Sequence, residues 1–288
     1  MNERDGGLTG IIPFTYIGGL YKASGSTFLR CDGLVANAED FKVWRHGHKY
    51  DNLIFQKAYW KEMMTLFKGP KILDLCDPDW LTGNVDIIAT GRLADAITCS
   101  SERLTDLVRR YFPHKQVMHV PDRLNFKVFP PGRPPHTGRA GKITWFGFIN
   151  NAHETLPALA SVIRKHDLQL TIISDFPYSQ QDEIAGLQPA FIKYAQSTAY
   201  HFIRDSDIVL NPKSEKALYK YKSNNKTIIS WKLNVPVAET GDDLEMLLDP
   251  GERNRQVAEK KDLVENEYNI TRSAGQYREL LESIRSGK

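Results

Sequence analysis

The chain of 288 residues is 41 % hydrophobic and 25 % charged, which is enough apolar material for two ordinary cores and too much for a mainly disordered polypeptide. Its formal net charge of +3, from 38 basic and 35 acidic residues, supplies no overall field for nucleic acid, so any anion site must come from local clustering. Cys31, Cys76 and Cys99 form no Cys-x-x-Cys pair and read as buried thiols in a reducing compartment. The N-terminus MNERDGGLTG lacks the order of a secretion signal, and no stretch has the apolar length of a transmembrane segment, so a cytoplasmic location is expected.

Short apolar runs alternate with helical patterns along the chain: IIPFTYI at 11–17, NLIFQ at 52–56, KILDL at 71–75 and AITC at 96–99, then ITWFGF, LTIIS and DIVL. Such alternation predicts parallel strands joined by crossover helices, an α/β fold. PPGRPPHTGRAG at 130–141 suits neither helix nor strand and marks the domain boundary. About four strands are expected before it and four after it, at KITWFGF, LQLTIISD, SDIVLNP and VPVAE, giving two doubly wound domains. The charged tail, with apolar positions Val257, Leu263, Tyr268, Ile270, Tyr277, Leu280, Leu281 and Ile284, predicts one or two amphipathic helices. Two facing doubly wound domains present the carboxyl ends of their strands to a ligand, so the loops after those strands are where chemistry is sought.

The stretch KYKSNNKTIISWKLNVPVA, residues 220–238, predicts a helix over about 224–233, capped by Ser223 and closed by Asn234 in the left-handed conformation before Pro236. A capping box would put Glu or Gln at 226; the chain has Lys226 instead, with Lys222 just outside. Cations at the positive end of a helix make sense where an anion is received, because free amides, dipole and ammonium groups converge on its oxygens. A diphosphate fits, although a solvated lysine-rich surface gives the same pattern.

Three further loops carry polar candidates. TYIGGLYKASGST offers Gly18 and Gly19 for close backbone approach, with Ser24 or Ser26 opening a helix that includes Arg30, but it matches no phosphate-loop spacing. WFGFINNAHETL places Gly147, Asn150 and Asn151 at a strand-to-helix junction, with Asn151 a possible cap. DPDW puts Asp77 and Asp79 after KILDL, where they suit a metal, a base or a plain turn. The second Asp-x-Asp, at 205–207, reads as a helix-to-strand connection, and the eight histidines show no His-Glu-x-x-His pattern.

In their shared order, SGSTFLRCDGLV, HGHKYDNLIFQK, KILDLCDPDW, LADAITCSSERLTDLVRRYF, KITWFGFINNAHETLPAL, LTIISD, IRDSDIVLNP, KSNNKTIISWKLNVPVAET and YNITRSAGQYRELLESI resemble the GT-B glycosyltransferases. The closer likeness is to the retaining, nucleotide-sugar-dependent glycogen synthase-like superfamily. The resemblance implies two facing Rossmann-like domains: residues 1–135 on the acceptor side, 136–265 binding the nucleotide sugar, and a helix within 266–288 packing back on the first. It also implies that Gly18, Gly19, Gly147, Asn150, Lys222, Ser223, Asn224, Asn225 and Lys226 hold the donor and its diphosphate, while Ser174 and Asp175 lie near the nucleoside. One departure stands out. Many relatives carry Glu-x7-Glu, whose second Glu contacts the ribose; the corresponding positions here are Tyr221 and Ile229.

The expected activity is therefore sugar transfer from a nucleoside diphosphate sugar, with UDP the expected nucleotide, to a hydroxyl acceptor with retention. Lys226 would stabilise the leaving diphosphate, and Asp77 or Asp79 would orient the acceptor or support the cation-like sugar ring. No cofactor beyond the nucleotide-sugar co-substrate is required and no metal site is assigned, while a third reading keeps the enzyme and makes Asp77 and Asp79 metal ligands. The acceptor class stays open among glycan intermediates, small molecules and modified nucleobases. The alternative is a catalytically inactive GT-B-like protein that binds a nucleotide or polyanion.

Overall fold

The apolar runs become strands that are buried on both faces, as parallel strands covered by helices on each side must be. A computed structural model describes residues 7–16, 25–83, 85–177, 183–214 and 218–287. Gly18, Gly19 and Ser24 lie outside the described residues.

In the first sheet, β1 (Thr9–Pro13), β2 (Phe41–Val43), β3 (Asn52–Gln56), β4 (Lys71–Leu75), β5 (Ala96–Cys99) and β6 (Gln116–His119) lie in the order β2-β1-β3-β4-β5-β6, all parallel. Alternation along each strand sorts the core into two layers. Leu53, Phe55, Leu73 and Leu75 face one side with Met64, Ile87, Leu104 and Val108. Ile11, Ile54 and Ile72 face the other, where the helix Ile270–Ser286 lays Ile270, Ala274, Tyr277, Leu280 and Leu281 across them. A helical stretch over 25–37, wound as π-helix at Phe28–Asp32, packs on that same face through Cys31 and Leu34.

The second sheet comprises β7 (Lys142–Phe146), β8 (Gln169–Ser174), β9 (Ala190–Lys193), β10 (Ile208–Leu210) and β11 (Val237–Ala238), in the order β11-β10-β7-β8-β9, again all parallel. The chain winds outward in one direction from β7 to β9 and in the other from β10 to β11. The topological switch therefore falls between β7 and β10, the place where open α/β sheets receive ligands.

The chain divides into two units, the first built from the residues up to Phe126 with 218–224 and 267–287, the second from 127–214 and 225–266. The proline-rich stretch is no loose linker, because its backbone and side chains are tied into the second unit. The Arg133 amide donates to Leu233 O at 2.9 Å and its guanidinium to Asp207 at 2.7 Å, while Gly138 O accepts from Arg253 at 2.6 Å. Asp207 also accepts from the Gly141 and Lys142 amides at 2.9 Å, so the Asp-x-Asp at 205–207 is the structural connection the sequence suggests.

A buried polar network holds the first unit together. Arg30 donates to Asp74 through Nε at 2.8 Å and to Asp122 at 2.9 Å; Asp74 also accepts from Thr98 at 2.7 Å and Tyr277 at 3.0 Å. Every charge in this set is paired, as burial demands. No helix among the described residues is long and apolar enough to cross a membrane.

Candidate functional site

In the second unit, the helix Asn225–Lys232 starts where the sequence puts it, and Asn234 takes the left-handed conformation with φ of 59°. Ser223, expected as its cap, does something else. Its hydroxyl donates to Asp122, the buried carboxylate already bound to Arg30, and the Ser101 hydroxyl donates to Tyr221 O at 2.7 Å. Asp122 is buried and gains a second donor in Ser223, while the helix starts at Asn225, so the cap position falls on Asn224, one residue beyond Ser223. Residues 218–224 are thereby fastened to the first unit, and the division between units falls between Asn224 and Asn225.

Lys226 lies in the first turn, its ammonium 3.9 Å from the centre of the Trp145 ring and 6.0 Å from that of Phe146. A cation over an indole face is attracted by the ring quadrupole, which gives the ammonium a defined position at the carboxyl end of β7. Gly147 makes this approach possible. With φ of 143°, it adopts a conformation L side chains avoid, and a Cβ there would lie 3.0 Å from both Lys226 Cε and Nζ. Across the switch point, Asn211 at the end of β10 donates to the buried Thr227 hydroxyl at 3.0 Å and so pins the helix start to the sheet edge. The first four amides of a helix have no intrahelical acceptor, so amides, dipole and ammonium are concentrated at one corner of the second unit.

The neighbouring junction is also built from expected residues, in unforeseen roles. The buried Ser174 hydroxyl donates to Gly147 O at 2.7 Å and to Asp175 at 2.8 Å, linking the ends of β7 and β8. Asp175 accepts from the Ile149 amide at 3.2 Å and so serves the helix Ile149–Thr155 as its N-terminal acceptor. Burial acts to raise the Asp175 carboxyl, and the Ser174 hydroxyl with the Ile149 amide overrides it, leaving its pKa below the ordinary value. Asn151 is therefore not the cap; it sits inside the helix, and Asn150 is exposed in the first turn. Ile229 is buried, at 7 % exposure.

At the carboxyl edge of the first sheet, Asp77 and Asp79 follow β4 with a lysine between them. Lys57 Nζ lies 2.7 Å from Asp77 and 3.3 Å from Asp79, and the Tyr59 hydroxyl donates to Asp79 at 3.1 Å. Burial lowers the affinity of the Lys57 ammonium for its proton, but the Asp77 and Asp79 charges more than reverse this. The Asp79 carboxyl is raised, first by burial and then by Asp77. The described residues contain no group of three or more His, Cys, Asp or Glu side chains arranged to hold a metal ion.

Sequence reasoning missed Trp145, Asn211, Thr227 and Lys57. Asn211 carried a weak signal, as the polar residue closing the apolar run IVL just before Pro212. Trp145 and Lys57 carried none, since one sits inside a strand pattern and the other is a single lysine after one.

No protein-family model matches the sequence, and no curated protein matches it. Solved structures do. Anabaena HepE, in complex with UDP and glucose, superposes with a TM-score of 0.71 at 10 % identity, over 96 % of this chain and 100 % of its own. An alpha-glucosyltransferase, in complex with UDP and a 13-mer DNA containing an HMU base, gives 0.66 at 10 % identity over 96 % and 99 %. Staphylococcus aureus TarM gives 0.60 at 11 % identity over 80 % of this chain, which spans 55 % of TarM's length. The fold is that of the GT-B glycosyltransferases, as the order of motifs suggests.

Proposed function

We propose that the chain is a glycosyltransferase that takes a nucleoside diphosphate sugar and moves the sugar to a hydroxyl group with retention. The observation that carries this reading is the Lys226 ammonium, seated on Trp145 and against Gly147 at the switch point of the second sheet. A dipole and free amides there attract an anion, and the lysine adds to that field instead of cancelling it.

In the reaction, the bond between the anomeric carbon and the diphosphate breaks as the acceptor oxygen bonds to the same carbon. The acceptor's proton leaves with the diphosphate. Negative charge grows on the departing oxygens, and Lys226 with the amides of Asn225 and its neighbours is already oriented to meet it. Lys222, Ser223 and Asn224, immediately upstream, are assigned to the same diphosphate, Ser223 through its amide because its hydroxyl is engaged by Asp122. Gly147 and the exposed Asn150 flank the sugar-phosphate. Ser174 acts indirectly, by holding Gly147 O, and Asp175 by fixing the helix that bears Asn150. UDP is the nucleotide of choice because HepE and the alpha-glucosyltransferase, which match almost the whole chain in fold, are solved with it.

A screen of nucleotides and nucleotide sugars by thermal unfolding tests the binding, since a ligand selective for the native state raises its apparent stability. Release of nucleoside diphosphate from the stabilising sugar then tests turnover. Binding without release on any acceptor supports the second reading, a nucleotide-binding protein without activity. The buried Ile229 in place of a ribose-binding carboxylate favours that reading.

A further inference from the structure

Lys57 stands immediately after β3 in a left-handed conformation, φ of 52°, that a lysine does not adopt without a compensating gain. Its amide donates to Asp74 O on β4 at 2.8 Å, which locks the bend. The side chain is 13 % exposed and ends between two carboxylates that are 36 % and 28 % exposed, 2.7 Å from Asp77 Oδ2 and 3.3 Å from Asp79 Oδ1. An ordinary surface lysine keeps its head in water. This one is drawn in, over a backbone bend, to a point where two carboxylates on an Asp-x-Asp spacing converge.

Two carboxylates so placed repel each other unless a cation lies between them, and oxygen pairs of this kind are what Mg²⁺ and Mn²⁺ take from proteins. Here the chain supplies the cation itself. We propose that Lys57 is a positioning residue whose ammonium fills the cation place between Asp77 and Asp79, closing the pair to divalent metal and holding it for a hydroxyl group. Asp77 uses only Oδ2 on the lysine, and Oδ1 has no hydrogen-bond partner among the described residues. Asp79 has both oxygens engaged, by Lys57 and Tyr59. The free acceptor is therefore Asp77 Oδ1; the Phe14 ring, 36 % exposed, has its centre 5.2 Å from the Lys57 ammonium. That the hydroxyl is the sugar acceptor's rests on the proposed glycosyltransferase reading; the filling of the cation place does not.

Titration of Mn²⁺ into the full chain, followed by loss of the six-line resonance of the free ion, separates these statements because it needs no transfer activity. The wild-type chain is expected to show no saturable Mn²⁺ binding that depends on Asp77. Lys57→Ala and Lys57→Gln are expected to acquire one site at least tenfold tighter, which Asp77→Asn in the same chain removes, and Lys57→Arg to stay closed. Two neutral variants guard against one failing to fold, and cooperative thermal unfolding identifies the folded ones. Asp77-dependent Mn²⁺ binding in the wild type would overturn the proposal. So would a folded Lys57→Ala or Lys57→Gln chain that gains none.

Discussion

Replacing Gly147 by alanine tests whether the position of the Lys226 ammonium matters. The added methyl would lie 3.0 Å from Lys226 Cε and Nζ and 3.2 Å from Trp145 Cη2, and φ of 143° is a conformation alanine avoids. Backbone strain of this kind costs about 1–2 kcal/mol. Lys226 is the easier of the two neighbours to move, and swinging it off the indole forfeits about 0.5–1 kcal/mol of cation–π attraction. The sum, about 2 kcal/mol, corresponds to a drop of roughly 4–8 °C in unfolding temperature for a chain of this size class. On the proposed role of Lys226, a displaced ammonium also meets the diphosphate poorly, and a loss near 1.4 kcal/mol is about tenfold in affinity. Calorimetric titration with UDP, beside thermal unfolding, reads both effects. In a Gly147→Ala/Lys226→Ala double variant the affinity losses should fall well short of additive, because both changes disable the same ammonium. A folded Gly147→Ala chain that binds UDP as the wild type does would refute the reasoning.

Other perturbations address the scaffold. His136 is buried with Nε2 against Asn234 O at 3.1 Å, and burial, then the Arg133 charge, push its pKa down to about 4. Its folded value lies below the ordinary 6.5, so its stabilising contribution is complete above pH 6.5 and is lost as pH falls towards 4, by up to about 3 kcal/mol. Urea unfolding of wild type and His136→Gln at pH 7.5 and 4.5 checks this; equal losses in both would contradict it. Arg30→Met strands Asp74 and Asp122 in the core, and breaking such a pair costs about 3–5 kcal/mol. Tyr277→Phe, which removes one of several donors to Asp74, should cost about 1 kcal/mol in the same urea assay, and a reversed ranking would show that the network is organised differently.

The strands read correctly from the sequence are those whose burial writes a continuous apolar run: NLIFQ, KILDL and AITC coincide with β3, β4 and β5 to the residue. Those missed, β2, β6 and β9, are all sheet edges. QVMH and AFIK bury little, since an edge strand has less neighbour on one side and keeps polar residues against water. Within the candidate site, the helix beginning near Ser223 and its anomalous Lys226 were legible because caps, termini and charges near helix ends have local rules. The partners that fix them were not. Arg30 meets Asp74, Asp122 and Tyr277 at separations of 44, 92 and 247 residues, and only the folded sheet brings such residues together. Ser223 shows the same limit, since its hydroxyl bonds a carboxylate 101 residues away that no local rule points to.

The assignment of the diphosphate to Lys226 is tested most directly by measuring how Lys226→Ala affects two ligands: the nucleoside diphosphate that stabilises the protein best, and its parent nucleoside. If the ammonium serves the diphosphate, the variant binds the diphosphate at least tenfold more weakly while the nucleoside's affinity is unchanged. Equal affinity of variant and wild type for the diphosphate, or an equal loss for both ligands, would contradict it.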